Sequence, residues 1–179
     1  MRTRIALLAV HVLALTVLVA APAHAEFYAV DDPADAKGSL TDIYGLEARH
    51  GDKAVVVKVR FAELMRSSMA GVSVYFDTDR DRKGPEYVLS SGLGDGTDYI
   101  LTAAEGWRGS DGQVRCDYRA RPKWGQDVFR AVVSRDCLDR SPSVRVSVKM
   151  IDQAGARPVR DWAPRQRRWS LPLAPGLAA

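Results

Sequence analysis

Along most of the chain, apolar side chains recur at every second position. Val55, Val57, Val59 and Phe61 alternate with Val56, Lys58 and Arg60, the pattern of a strand with one face in a core. Gly51-Asp52 separates this run from a second one over 42–50, so the two are predicted to pair as a hairpin. Val72, Val74 and Phe76 repeat the period, as do Val114, Cys116 and Tyr118. Val144, Val146, Val148 and Met150, opposed by Arg145, Ser147 and Lys149, give the cleanest late strand. Weaker strands are expected over 86–90, 98–104 and 128–134. Between them lie Lys83-Gly84-Pro85, Gly94-Asp95-Gly96, Ser110-Asp111-Gly112 and Ala154-Gly155, turn sequences in which Gly supplies positive φ and Asp bonds its own backbone. Only 62–70 and 134–138 suit a helical turn, and 31–37 reads as a loop. Many short strands joined by such turns predict an all-β fold, an antiparallel β-sandwich of jelly-roll or immunoglobulin-like type.

The first 25 residues stand apart from this pattern. Arg2 and Arg4 precede an apolar stretch over 5–20, and Ala23-His24-Ala25 offers a small-residue cleavage site, the layout of a secretory signal peptide. Residues 26–179 are then expected to form one secreted domain, long enough to bury roughly 68–70% of the unfolded chain's surface. With 27% charged and 46% hydrophobic residues in 179, the chain is too apolar for a disordered tail and too charged for a multi-span membrane protein. No later apolar run approaches the ~20 residues of a membrane span, and no cysteine beside the cleavage site offers a lipid anchor. Without Arg2 and Arg4 the formal charge falls from +4 to +2, too balanced to indicate a nucleic-acid partner.

Export changes the reading of the cysteines. A single pair, Cys116 and Cys137, in an oxidising compartment is expected to form a disulfide, closing a loop that adds about 3 kcal/mol on the chain-entropy account. Two buried free thiols are the alternative.

The acidic segment after Phe76 carries the most chemistry. If the strand runs on, Asp77, Asp79 and Asp81 point the same way, and three such carboxylates suit a calcium ion, which takes 6–8 oxygen ligands. Asp95 and Asp98 are further oxygen donors. It is no EF-hand, since Arg82 and Val88 stand where that loop needs Gly and Glu. Arg80, Arg82 and Lys83 also allow a solvated polar turn without metal. His50 is the one histidine after residue 25; beside Gly51-Asp52 it reads as an exposed hairpin residue, and no nucleophile elbow accompanies it. Glu47 and Glu105 are the carboxylates that a glycosidase of this chain would use. Trp107 and Trp124, next to loop glycines, are candidate ligand-binding surfaces for sugar rings, the alternative being tryptophans that cover the ends of the sandwich. Arg157, Arg160, Arg165, Arg167 and Arg168 surround Trp162 and Trp169, a basic stretch suited either to an acidic polymer or to a solvated last strand.

Val74-Tyr75-Phe76-Asp77-Thr78-Asp79 followed by Gly84-Pro85-Glu86-Tyr87 resembles a strand and turn of family 9 carbohydrate-binding-module-like and DOMON-like sandwiches. That resemblance implies a β-sandwich binding sugars, or haem in some branches, with Asp77 and Asp79 as candidate calcium ligands. More broadly, with Ser134-Arg135-Asp136-Cys137-Leu138 before the Val144 strand, residues 26–179 are similar to small exported actinobacterial β-sandwich proteins; this implies fold and export and no activity. The expectation is a secreted, non-catalytic binding module for extracellular polysaccharide or cell-wall glycan. A small carboxylate-dependent glycoside hydrolase and a protein-interaction or envelope-structural module are the alternatives.

Overall fold

The period-two runs become the strands of two antiparallel sheets. The structure is a computed structural model that describes residues 26–176; the signal peptide expected over 1–25 lies outside the described residues. Among the described residues eleven strands run in the order β1 (Phe27–Asp31), β2 (Ile43–His50), β3 (Ala54–Phe61), β4 (Gly71–Asp77), β5 (Tyr87–Gly92), β6 (Tyr99–Ala104), β7 (Gly109–Gln113), β8 (Tyr118–Lys123), β9 (Val128–Ser134), β10 (Arg145–Asp152) and β11 (Val159–Ala163). One sheet has the order β1-β2-β3-β9-β8, the other β11-β10-β4-β5-β6-β7. The chain passes between the layers three times, after β3, β7 and β9.

The expected hairpin across Gly51-Asp52 is present as β2 and β3. Their inward residues Leu46, Ala48, Val55, Val57 and Val59 meet Val74, Phe76, Val146, Val148 and Met150 of the other layer in one core. Each of the larger side chains among them removed from water contributes about 1.5–3 kcal/mol, and the alternation exists because each sheet has one dry face.

Several expectations are corrected. Val114, Cys116 and Tyr118 do not share a strand: β7 ends at Gln113, β8 begins at Tyr118, and the residues between cross from one layer to the other. The Ser110-Asp111-Gly112 turn is instead part of β7, an edge strand that is exposed along most of its length and so needs no apolar face. Residues 62–70 make an irregular first passage rather than a helix, whereas Arg135–Leu138 form the expected turn as a 3-10 helix. The disulfide between Cys116 and Cys137 is formed, with Cα atoms 5.6 Å apart. It joins the second passage between the layers to the third.

His50 is not exposed. It continues the inward phase of Leu46 and Ala48 and is 1% accessible, because the C-terminal segment lies over it. Leu173 pairs with Val144, its side chain enters the core, and its carbonyl accepts a hydrogen bond of 2.9 Å from His50 Nδ1. Burial holds the His50 pKa below its ordinary value, against that carbonyl, which favours the protonated ring.

Candidate functional site

On the outward face of the six-stranded sheet the alternation breaks. Tyr75 of β4 and its register partner Ser147 of β10 point away from the core, yet are 2% and 0% exposed. Three tryptophans from distant segments cover this part of the sheet: Trp107 from the β6–β7 hairpin, Trp162 from β11 and Trp169 from the segment after it. Trp162 lies parallel to Tyr75, ring centres 5.6 Å apart and planes 13° apart. Trp169 lies parallel to Trp107 at 4.8 Å and 23°. Trp107 stands nearly upright against both Tyr75 and Trp162, at 69° and 78°. Two stacked pairs therefore meet as a corner, its three tryptophans only half-buried. The Tyr75 hydroxyl ties the corner together by donating to the Trp107 carbonyl at 3.3 Å.

Cations edge this corner. Lys149 Nζ lies 5.6 Å from the Trp162 ring centre and the Arg145 guanidinium 5.6 Å from that of Trp169, within the range of cation–π attraction. Arg145 is fixed from below by Asp77, whose side chain is completely buried. The two form an ion pair with its carboxylate wholly out of water. Burial raises the Asp77 pKa, and Arg145 is the main influence opposing it. Burial likewise pushes the Tyr75 hydroxyl up, while Ser73 and Arg167 pull it back.

The structure distributes the sequence-predicted residues differently. Trp107 joins the corner, but Trp124 packs elsewhere, its Nε1 donating to the Leu93 carbonyl at 2.9 Å and its ring beneath Arg66 at 4.2 Å. Asp77, Asp79 and Asp81 are not gathered, because β4 ends at Asp77 and the alternation ends with it. Asp77 turns to Arg145, while Asp79 Oδ1 accepts from the Asp81 amide at 3.0 Å. The turn is organised by Glu86, which accepts from the amides of Thr78 and Asp79 at 2.8 and 3.2 Å. Asp95 pairs with Arg66 at 3.2 Å, and Asp98 is exposed. Glu47 sits on β2, 3.4 Å from Lys58, and Glu105 in the β6–β7 hairpin of the opposite layer, so no one groove holds both glycosidase candidates.

Carboxylates do converge at another place. Asp32, Asp35 and Asp161 bring one oxygen each within 4.8 Å of one another. Asp161 is already engaged, accepting from the amides of Ile43 at 2.7 Å and Trp162 at 2.6 Å. The Ile43 bond ties β11 to β2 across the layers. Burial, then Asp161, Asp35 and Asp42, pushes Asp32 up to about 7. Asp161 is raised to about 6 by burial, against the two amides.

Folded-state values above the unfolded one mean that the folded protein binds more protons. The cluster's contribution to stability is full below the unfolded carboxylate range and is lost as pH rises through about 6–7. Asp32→Asn is therefore expected to raise Tm at pH 8 by about 2–4 °C, the equivalent of roughly 1 kcal/mol in a domain this size, and to change little at pH 5. Thermal melts of both proteins at the two pH values check this. An equal shift at both would remove the carboxylate repulsion as the cause.

Fold and site together define an antiparallel β-sandwich with an aromatic, cation-edged corner on one outer face. No protein-family profile matches the chain, and no curated protein matches its sequence significantly.

Proposed function

We propose that this protein is an exported, non-catalytic binding domain that holds an extracellular glycan against the aromatic corner of Trp107, Trp162 and Trp169. The observation that carries the reading is the pair of stacked aromatic couples meeting nearly at right angles on the outside of a sheet. Sugar rings present flat faces of C–H groups, which suit the electron-rich faces of indoles. A corner gives one wall to stack on and a second that fixes the direction of the chain. The Cys116–Cys137 bridge supports export, since such bonds persist in oxidising compartments. Among the described residues no helix is long and apolar enough to cross a membrane.

Retention on a panel of insoluble polysaccharides and isolated cell walls tests the reading. Trp162→Ala and Trp169→Ala are each expected to weaken retention about 10- to 100-fold, the range of a buried aromatic contact at a binding surface. Trp124→Ala, away from the corner, should leave it unchanged provided the fold is intact by circular dichroism. Absence of retention on every glycan would sink the proposal and leave a protein-interaction role to a partner search.

A further inference from the structure

We infer that the glycan on this face is anionic, its carboxylate or phosphate groups meeting Lys149, Arg160, Arg167 and Arg108 while its sugar rings lie against the tryptophans. This deepens the glycan reading and rests on it. The placement follows from register and sequence. Lys149 of β10 stands directly opposite Trp162 of β11, and Arg160 shares the outward face of β11 with Trp162. Arg108 follows Trp107, and Arg167 precedes Trp169 by two positions. Every tryptophan of the corner thus has a cation beside it.

These cations lack counter-charges. Among the described residues no carboxylate lies within 4.0 Å of any of the four, and the ion pairs present involve other basic residues. Two acids of the neighbouring strands, on β4 and β11, are committed elsewhere. Asp77 belongs to Arg145, and Asp161 turns inward to the Ile43 amide. Lys149 registers the consequence: burial first, then Arg160, Arg167 and Arg108, hold its pKa below the ordinary lysine value. The face therefore carries a like-charge repulsion that an anion relieves and a neutral sugar does not. The five-stranded sheet supplies an internal comparison. There Lys58, Arg130 and Arg121 stand directly opposite one another across β3, β9 and β8, a basic row without the stacked tryptophans.

The test uses polygalacturonate, its methyl ester and a glycerol-phosphate polymer, with affinity measured by calorimetry on the purified protein. The methyl ester keeps the sugar and removes the charge. At least one anionic polymer is expected to bind tenfold or more tightly than the ester, and to weaken roughly tenfold between about 50 and 200 mM salt as counterions compete. Preference between the two anionic polymers assigns the charge to carboxylate or phosphate. Lys149→Met and Arg160→Gln are each expected to lose about three- to tenfold on that polymer, the loss of one charge-assisted contact. Arg160 is exposed, so its variant reports even where Lys149→Met unfolds. Arg121→Gln on the opposite sheet should bind as the unmodified protein does.

Equal affinity for the ester, or no salt dependence, overturns the inference and leaves the glycan reading standing. So does retention of neutral glycans alone. A matching loss in Arg121→Gln overturns it as diffuse attraction to a basic protein. Tighter capture of single-stranded poly-dT than of either anionic polymer overturns it in favour of a nucleic acid. Failure to retain any polymer, charged or neutral, removes the reading and the inference together.

Discussion

Arg145→Met is expected to destabilise the domain by about 3–5 kcal/mol, the loss that follows when one partner of a buried ion pair is removed. Asp77 has no accessible side-chain surface, whereas 21% of the Arg145 side chain reaches solvent, so the carboxylate is the member left without compensation. Its pKa, already raised by burial, rises further without the guanidinium. A raised folded-state value means stability lost as pH rises, so the deficit should grow from pH 5 to pH 8. Removing both charges together, Asp77→Asn with Arg145→Met, should recover most of the loss, because the isolated charge disappears. Urea denaturation of the single and double variants at both pH values checks this. A double variant no more stable than Arg145→Met would mean that the arginine acts through packing on Trp169 rather than through Asp77.

Opening the Cys116–Cys137 bridge is the second large effect. Cys116→Ala with Cys137→Ala is expected to lower stability by about 3 kcal/mol and Tm by roughly 6–12 °C. The bridge spans 21 positions of sequence, but its place in the fold matters as much as its loop. It holds the passage from β7 to β8 against the turn that leaves β9 for β10, so its loss frees two of the three crossings between the layers. Melting with and without a thiol reductant gives the same comparison without mutation. A Tm insensitive to both treatments would show that the core alone fixes these passages.

The strands facing the core were legible because the dry face of each sheet forces alternation. Residues 128–134, a weaker run in the sequence, become β9 over the same span. The edge strand β7 is exposed along most of its length, and nothing in its composition separates it from a loop; in β1 the alternating Tyr28 and Val30 were a signal, since both pack against the core. Asp77, Asp79 and Asp81 went astray because alternation holds only while a strand lasts. For His50 the signal was present: it keeps phase with Leu46 and Ala48, and the turn beside it hid that phase. The aromatic corner was half legible. Trp107 stood out in its loop, and the basic stretch around Trp162 and Trp169 was visible, but only the sheet order brings them over Tyr75: β10 and β11 from one side of β4, β5 and β6 from the other. Asp32 and Asp161 come together only through the packing of one sheet on the other, from positions far apart in sequence.

The segment carrying Leu173 also sets the order in which the chain can be completed. His50 lies near the start of the fold, and the carbonyl that accepts from its Nδ1 comes from 123 positions later. The amide of Val144 likewise waits for Leu173, at 2.9 Å. Contacts of such separation in sequence are paid for in loop-closure entropy before they return anything, and they slow folding. The β2–β3 hairpin is therefore a docking platform that stays open at one end until the Leu173 segment docks. Its last buried position is filled only when the final few residues of the described chain arrive.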